Sequence, residues 1–279
     1  MSTKRLLRLF PQPCTECELK NVYLGRYGWH QASPERPVVT ANFVTSLDGR
    51  IAIASQASSE VQLPDSLTSA EDFRLFLELH AQADCLVTHG GYLRNLAAGR
   101  LGNILQLPEH PGSRDLHEWR EQQGLSPHPD IVVASSSLDF PLHPSLKGGR
   151  QNVYIATGHG TNPDLCDAWK RQGLEVLRAG HSGLVEGRPL IAALAQRGYR
   201  NIYLIAGPKM LHTMIRDRLL NKLYISTSHQ LLGGRVFKTL LDGEKLEHCS
   251  LRLNSLFFDE RSDNGCGQFF SGFECMYDE

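Results

Sequence analysis

The sequence predicts an α/β protein: a mixed, mostly parallel sheet flanked by helices, with an antiparallel hairpin at the C-terminus. Three observations carry this prediction. Short apolar runs alternate with amphipathic stretches at least four times along the chain. Several of the apolar runs end in glycine or small polar residues, as strands do where they turn into helices. The tail alternates apolar and polar residues over 245–258 and again over 268–276, which is typical of two paired strands.

The elements follow in order after an N-terminal extension. Residues 1–35 contain Pro11, Pro13 and Pro34 and little periodicity, so we expect an irregular extension and then one domain over residues 36–279. Residues 97–129 are rich in glycine, proline, histidine and charge, which predicts a long surface excursion with one short helix near Trp119. Strands are expected at 38–44, 85–88, 130–134, 152–156, 174–177, 201–205 and 222–227, and helices at 69–80, 92–96, 164–172, 189–197 and 209–216.

Composition favours a soluble globular protein. The 279 residues are 41% hydrophobic and 21% charged, with a net charge of −1, so no nucleic-acid partner is expected. Apolar runs fall short of the roughly 20 residues that a membrane helix needs, and the N-terminal apolar stretch is too interrupted for a secretory signal. The seven cysteines, an odd number, are typical of reduced thiols. We therefore expect a cytoplasmic protein with a small-molecule substrate and no membrane partner.

Four predicted strand ends carry glycine or small polar residues: HGG at 89–91, SSS at 135–137, TGHG at 157–160 and AGPKM at 206–210. In open α/β sheets the ligand lies beyond the carboxyl ends of the strands, where glycine lets backbone N–H groups approach phosphate. Any one of these could be only a tight turn, but four together favour a nucleotide-sized ligand. None matches the G-x-G-x-x-G or G-x-x-x-x-G-K-[ST] fingerprint.

Four segments resemble the riboflavin-biosynthesis pyrimidine reductases, in the same order along residues 36–240. They are RPVVTANFVTSLDGRIA, AQADCLVTHGGYLR, LIAGPKMLHTMI and LYISTSHQLLGG. The resemblance implies a dihydrofolate-reductase-like fold and NADPH as the cofactor. It also implies the activity of 5-amino-6-(5-phosphoribosylamino)uracil reductase, or that of a relative with an altered substrate.

The resemblance also assigns cofactor contacts. The S-L-D-G loop would close over the nicotinamide half, with Ser46 and Asp48 fixing the loop. The turn at 206–210 would hold the pyrophosphate, and the serines at 135–137 would contact the adenosine ribose and its 2′-phosphate. The implied cofactor-binding residues are Val44, Ser46, Leu47, Ala52, Thr88, Gly90, Gly91, Ser135, Ser136, Ala206, Gly207, Pro208, Lys209 and Met210.

The substrate pocket departs from the family pattern. Asn42 stands where the family has lysine, and Ile205 where it has glutamate, while Ser58 matches a serine that can hold the ribosyl phosphate. These three are the expected substrate residues. Leu96 replaces an aspartate and Tyr92 a threonine. These departures in one pocket, together with His80 in place of a basic residue, favour an altered substrate, since an unmatched buried polar group costs roughly 1–3 kcal/mol.

The proton donor for the reduction is left open among three side chains. Asp48 and Tyr92 are the catalytic candidates, and His89 is a third that a turn could equally expose to solvent. Two other functions also stay open: a catalytically inactive nucleotide-binding protein that acts as a sensor or partner, and a reductase of folate-like or other heterocycles.

The motif P-C-x-x-C at residues 13–17 is half of the zinc deaminase signature. The H-x-E half would have to lie upstream, and the twelve residues before Pro13 contain no histidine, so we expect no deaminase activity. Cys14 and Cys17 could still bind zinc with Cys266, Cys275 or His248, although unpaired thiols, and no metal, are the expectation. Finally, the resemblance implies a homodimer, with the tail at 245–276 as the pairing arm.

Overall fold

The structure, a computed structural model, describes residues 4–26, 31–54, 61–149, 151–247 and 249–278. Its strands are β1 (Arg5–Phe10), β2 (Thr15–Glu18), β3 (Val38–Ser46), β4 (Ala52–Ala54), β5 (Val61–Gln62), β6 (Cys85–His89), β7 (Asp130–Ala134), β8 (Val153–Thr157), β9 (Glu175–Arg178), β10 (Asn201–Leu204), β11 (Leu220–Ser228), β12 (Phe237–Lys238), β13 (Cys249–Asp259) and β14 (Gln268–Tyr277). Its helices are α1 (Ala70–Gln82), α2 (Gly90–Ala97), α3 (Arg114–Gln122), α4 (Pro163–Arg171), α5 (Gly187–Ala195) and α6 (Pro208–Arg216).

The first of two compact units, unit 1, holds residues 1–28, 40–79 and 207–279. Its strands lie in the order β2-β1-β13-β14-β11-β3. The pairs β1/β2, β1/β13, β13/β14 and β11/β14 are antiparallel. A second, small antiparallel sheet of order β12-β4-β5 also belongs to this unit. Unit 1 therefore contains the predicted C-terminal hairpin, β13 and β14, paired on both sides.

The second unit, unit 2, holds residues 29–39 and 80–206. Its strands run in the order β10-β6-β7-β8-β9, and all neighbours are parallel. The central strand β7 shows why: Ile131, Val132 and Val133 are each fully buried. A parallel strand with both faces covered is apolar along its whole length, instead of alternating with polar residues.

The helices of unit 2 begin at residues suited to that position. In α4 the side chain of Asn162 accepts a hydrogen bond from the Asp164 backbone N–H, and Pro163 occupies the first turn. This satisfies one of the free N–H groups at the helix start, and proline has no N–H to leave unpaired. Cys166 and Trp169 form the buried face of the same helix.

The predicted fold class is confirmed: a mixed α/β protein with a run of parallel strands, flanking helices and a C-terminal antiparallel hairpin. The predicted strands and helices from residue 38 onward are all present, most within two residues of the expected bounds. No helix in the described part of the chain is long and apolar enough to cross a membrane.

The prediction of an irregular N-terminal extension is wrong. Residues 5–10 and 15–18 form β1 and β2, and β1 pairs with β13, with Leu7 opposite Phe258. This pairing joins residues about 250 positions apart, so the local sequence carries no sign of it. The short strands β4, β5 and β12 were also not predicted; β12 pairs with the distant β4, and β4 and β5 have only three and two residues. The assignment of residues 36–279 to one domain stays a prediction.

Candidate active site

The S-L-D-G loop of unit 1 is a closed turn between β3 and β4. The Ser46 N–H donates to the Arg50 carbonyl at 3.0 Å, and the Gly49 N–H donates to the Ser46 carbonyl at 3.0 Å. The Ser46 hydroxyl also accepts a bond from the Arg50 N–H at 3.0 Å. Gly49 has φ +80°, a conformation that residues with a Cβ rarely adopt. The glycine and the serine of the motif are thus explained by the turn itself.

The Asp48 carboxylate accepts four hydrogen bonds, two at each oxygen. Oδ1 accepts from the Ser46 hydroxyl at 2.5 Å and from the Leu232 N–H at 3.3 Å. Oδ2 accepts from Arg50 Nη1 at 2.6 Å and from the Gly233 N–H at 2.9 Å. A carboxylate offers about four acceptor positions, so none is left for a substrate.

These bonds hold Asp48 in its charged form. The Ser46 hydroxyl, then the Gly233 N–H, lower the pKa of the Asp48 carboxyl to about 2, and Arg50 adds to the effect. A group with this pKa carries no proton to donate near neutral pH. The contacts of Asp48 therefore support a role in fixing the loop, and its predicted role as proton donor has no support from them.

Three other cofactor-binding candidates of unit 1 lie in or beside this loop. Leu47 is 57% exposed, although its backbone N–H is bonded to the Gln230 carbonyl at 2.9 Å. Val44, in β3, is partly exposed. Ala52, at the start of β4, is buried and faces Lys238 across the strand pair. Leu47 thus offers the largest open apolar surface of the three.

In unit 2 the carboxyl ends of the parallel strands share one edge of the sheet. The registers place His89 opposite Ala134, and Thr157 opposite Arg178. The predicted turns after β6, β7 and β8 therefore lie at one edge, as the sequence implied. Near this edge the Thr88 hydroxyl is buried and has no hydrogen-bond partner among the described residues.

The glycines after β6 have a packing role. A Cβ at Gly90 would lie 2.8 Å from the Phe140 ring and 3.2 Å from Ser135 Oγ. A Cβ at Gly91 would lie 2.9 Å from the His89 ring. Ser135 Oγ meanwhile accepts from the Leu138 N–H at 3.0 Å. Gly90 and Ser135 are thus brought together, and their contacts are with protein atoms.

Other turns at this edge differ in openness. Ser136 is exposed. Gly158, in the TGHG turn, is tightly enclosed, because a Cβ there would lie 1.8 Å from the Ser182 carbonyl oxygen. This turn packs against residues 180–184 and leaves no room for a ligand at that glycine.

The AGPKM turn has the most open backbone of the four. Gly207 is the N-cap of α6, and a Cβ there would meet no atom of the described residues within 4 Å. Pro208 and Met210 are partly exposed, and Ala206 is buried. The Lys209 side chain is 85% exposed, with its ammonium 4.0 Å from the Asp242 carboxylate. A helix start with open backbone and a nearby cation suits an anion.

Tyr92 is a buried anchor of the loop that follows α2. Its hydroxyl donates to the Gly102 carbonyl at 2.7 Å and accepts from the Ile104 N–H at 3.0 Å. Burial raises the pKa of this phenol. Both hydrogen-bonding functions are used by backbone groups, so these contacts give no support to the predicted proton-donor role.

The expected substrate residues are divided between the two units. Asn42 is partly exposed in β3 of unit 1, and Ile205 is partly exposed at the end of β10 in unit 2. Ser58 lies outside the described residues. His80, where the family has a basic residue, is fully buried, and burial lowers the pKa of its imidazole to about 3. It is therefore neutral and cannot replace a cation.

The cysteine alternative finds no support in the described residues. Cys14 is exposed and Cys17 partly so, and all the cysteines are free thiols. No group of three or more histidine, cysteine or acidic side chains suited to a metal occurs in the described part of the chain. His248, one of the suggested ligands, is outside that part.

Sequence profiles of known families decide the relationship. The profile described as RibD C-terminal domain matches residues 37–260. The chain belongs to this family. The predicted resemblance is therefore confirmed, and it extends to the fold.

The chain is similar to curated and solved proteins of the same kind. It is 26% identical over 217 residues to 2,5-diamino-6-ribosylamino-4(3H)-pyrimidinone 5′-phosphate reductase of Archaeoglobus fulgidus, covering 77% of this chain and 91% of the relative. A pyrimidine reductase-like protein of Corynebacterium diphtheriae has TM-score 0.67 and 19% identity, covering 93% and 99% of the two chains. The yeast riboflavin biosynthesis reductase Rib7 has TM-score 0.52 and 15% identity, covering 86% and 90%. Two of these three proteins are thus named as reductases, and the third as a pyrimidine reductase-like protein.

Sequence reasoning missed several residues of the loop's surroundings. Leu232 and Gly233 donate to Asp48, and Arg50 lies over the ring of Phe237 at 4.4 Å. The two glycines of the L-L-G-G motif could have indicated a turn at this position, since they have φ +63° and +89°. Nothing in the sequence linked that motif to the S-L-D-G loop.

Proposed function

We propose that the protein is an NADPH-dependent reductase that acts on a ribosylaminopyrimidine phosphate or a close relative of it. The family match over residues 37–260 carries this proposal, since the relatives it resembles are named for this reaction. The finer identity of the substrate rests on the pocket, which departs from the family pattern.

Several residues suit a dinucleotide. In unit 2 the Thr88 hydroxyl is buried without a partner among the described residues, and a ligand group could satisfy it. In unit 1 the open N–H end of α6 at Gly207, with Lys209 beside it, suits a phosphate. Leu47 would contact an apolar ring face. The other cofactor candidates, Gly90 and Ser135 above all, are proposed only as neighbours of the ligand, because their own contacts are with protein.

The reaction needs little covalent chemistry from the protein. Bound NADPH would supply the hydride, and the chain's task is to orient the cofactor and substrate and to exclude water. The turn at residues 46–50 would hold Leu47 in place. Asp48 and Tyr92 have their polar groups occupied, so neither has a free hydrogen-bonding position to act as proton donor.

We propose an altered substrate because the polar partners expected by the family are absent. Asn42 replaces lysine and Ile205 replaces glutamate. An enzyme that has lost a buried hydrogen-bond partner discriminates strongly against the substrate that needs it. The double variant Asn42→Lys, Ile205→Glu introduces the family's residues at both positions. Its kcat/KM for the ribosylaminopyrimidine phosphate should be higher than that of the wild type if the pocket is a diverged version of the family site.

The remaining expectations are proposals of the same kind. A homodimer is proposed, and it can be measured by light scattering after gel filtration. Pairing along β13 with β1 runs from Leu256 to Phe258, and Leu251 in the earlier part of β13 is 44% exposed. Leu251→Arg should therefore dissociate a dimer that uses this part of the hairpin. A cytoplasmic location, without nucleic-acid or membrane partners, is proposed from the class of its relatives.

Cofactor titration tests the function directly. NADPH and NADH are added separately to the protein, and cofactor fluorescence is followed. Tight binding of NADPH, with NADH at least tenfold weaker, is expected. A substrate screen then follows NADPH oxidation by absorbance. If neither dinucleotide binds, the reductase proposal is wrong.

A second function is favoured by one observation. Because both proposed proton donors, Asp48 and Tyr92, are occupied by structural hydrogen bonds, a nucleotide-binding protein without catalysis is a competing proposal. It predicts NADPH binding with no turnover of any carbonyl or imine substrate. Oxidation of NADPH by even one such substrate would exclude it.

A further inference from the structure

We propose that Arg50 and Phe237 are positioning residues that act through Asp48, holding the S-L-D-G loop against residues 230–238 in the form that binds the cofactor. We call Asp48, Arg50 and Phe237 the clasp. The geometry of the clasp lies entirely in unit 1. The ligand that it serves rests on the proposed function.

The Asp48 carboxylate joins two distant segments of the chain. It accepts bonds from Ser46 and Arg50 in its own turn and from the N–H groups of Leu232 and Gly233, which lie 184 and 185 residues further along. The turn and the L-L-G-G motif therefore share one carboxylate. Gly233 presents its N–H from φ +63°, which explains why a glycine is needed there.

Arg50 extends the link to a third group. Its guanidinium carbon lies 4.4 Å from the centre of the Phe237 ring, while Nη1 holds the Asp48 carboxylate at 2.6 Å. Nη1 also donates to the Asp48 backbone carbonyl at 3.2 Å, while Arg50 Nε is buried without a hydrogen-bond partner among the described residues. The Arg50 side chain is only 18% exposed. A planar guanidinium can stack and bond at once, which an ammonium cannot.

Phe237 is in turn fixed by the small sheet. It lies opposite Ile53 in the β12/β4 pair, and neighbouring backbone bonds join Ile51 to Lys238 and Ala54 to Val236. Ring, guanidinium, carboxylate and two amides thus form a continuous chain of contacts. Movement of any one group would release the next.

The clasp holds two exposed leucines beside it. Leu47 is 57% exposed and Leu231 75%, and the Leu47 N–H is bonded to the carbonyl of Gln230. One leucine therefore belongs to each clasped segment. We assign Leu231 and Leu47 to the apolar surface that contacts a flat heterocyclic ring of the ligand. In this assignment the clasp sets the distance between the two leucines.

Two substitutions test the clasp without removing the carboxylate. Arg50→Lys keeps the charge but loses the stacked plane, and Phe237→Leu removes the ring. Hydrogen exchange of the Leu232 and Gly233 N–H groups should accelerate about tenfold in both, and the Kd for NADPH should rise about fivefold to tenfold. Phe237→Tyr, which keeps an aromatic face, should restore both values to those of the wild type.

Arg74→Lys is the matched control. Arg74 also belongs to unit 1 and pairs through Nε with the Glu78 carboxylate at 3.0 Å, away from both clasped segments in sequence. The control should change global stability without changing exchange at Leu232 and Gly233 or the Kd for NADPH. If Arg50 and Phe237 contributed to global stability alone, their variants would resemble Arg74→Lys in the exchange rates at Leu232 and Gly233 and in the Kd for NADPH.

The outcomes separate this inference from the proposed function. Unchanged exchange in Arg50→Lys and Phe237→Leu would show that the clasp does not hold the two segments. Faster exchange with an unchanged Kd would overturn the positioning role while leaving the reductase proposal intact. If the wild type binds neither NADPH nor NADH, the proposed function and the positioning role both fail, and the exchange rates still report whether the clasp exists.

Discussion

The S-L-D-G loop of unit 1 and the glycine turns of unit 2 look alike in sequence but differ in what their polar groups do. In the loop, side chains build the turn: the Asp48 carboxylate has all its acceptor positions filled by its own unit. In unit 2, glycines make room for neighbouring protein atoms, as Gly158 does for the Ser182 carbonyl. The polar groups of a motif that is typical of ligand binding can thus all be engaged in contacts within the protein. Capacity for a ligand is better judged by backbone that is left uncovered, as at Gly207, and by polar atoms left unpaired among the described residues, as the Thr88 hydroxyl is.

The largest expected effect separates an enclosed glycine from an open one. Gly158→Ala would place a methyl group 1.8 Å from a backbone oxygen, and should destabilise the protein by at least about 3 kcal/mol or prevent folding. Gly207→Ala has free space and should cost no more than about 1 kcal/mol as a helix N-cap. Denaturant unfolding measures both. Equal losses would mean that enclosure does not distinguish these turns.

Gly207→Ala also sharpens the comparison on the ligand side. If cofactor phosphate approaches this backbone, the methyl group should weaken NADPH binding about tenfold while stability stays near that of the wild type. The titration uses cofactor fluorescence. Unchanged binding would place the phosphate elsewhere.

A smaller effect is expected at Tyr92. Tyr92→Phe leaves the Gly102 carbonyl and the Ile104 N–H without their partner, at a cost of about 1–2 kcal/mol in unfolding free energy. Because the hydroxyl is engaged with backbone, kcat should fall by less than threefold. A drop of a hundredfold or more in kcat, with stability preserved, would restore Tyr92 as the proton donor.

The Asp48 bonds predict a dependence of stability on pH. The folded-state pKa of about 2 lies below the unfolded value of about 3.9, so the stabilisation is complete above about pH 4 and is lost as the pH falls toward 2. Asp48→Asn should therefore unfold more easily than the wild type at pH 6, and the difference should shrink as the pH falls through about 2. Melting temperatures across this range test it, and a difference that did not shrink would contradict it.

The smallest expected effect concerns Lys209. Its side chain is 85% exposed, so Lys209→Ala should change stability by less than about 0.5 kcal/mol. If the ammonium meets cofactor phosphate, NADPH binding should weaken about threefold and become less sensitive to salt. Identical affinities and salt dependence in the two proteins would show that this lysine is merely solvated.

Much of the fold could be predicted because its signals are local. Strand β7 is a short run of apolar residues, and α4 begins at Asn162-Pro163. The hydrophobic pattern and the helix-capping residues were therefore enough to predict both elements. The N-terminal strand β1 was missed because its partner, β13, lies at the other end of the chain. The tail that the homodimer prediction names as the pairing arm forms β13 and β14, which pair with β1 and β11 within unit 1; the homodimer itself stays a prediction.

The candidate site divides in the same way. Local motifs placed Ser46, Asp48 and Gly207 at turns between elements, and the family match confirms the resemblance that those motifs suggested. They could not reveal that the Asp48 carboxylate accepts hydrogen bonds from distant backbone N–H groups. Nor could they reveal that the Phe140 ring takes up the space beside Gly90. Occupancy depends on which distant atoms come close.

The sequence by itself determined the order of the longer strands and helices after residue 38, the family, and the positions of the main turns, because periodicity, caps and motif spacing are properties of short stretches. Only the tertiary structure decided which polar groups are hydrogen-bonded within the protein and which are available to a ligand. It brought Leu232 and Gly233 to Asp48, and Phe237 to Arg50, across more than 180 residues. Hydrogen bonding and steric enclosure act through space, so the same residue types can be structural in one turn and available to a ligand in the next.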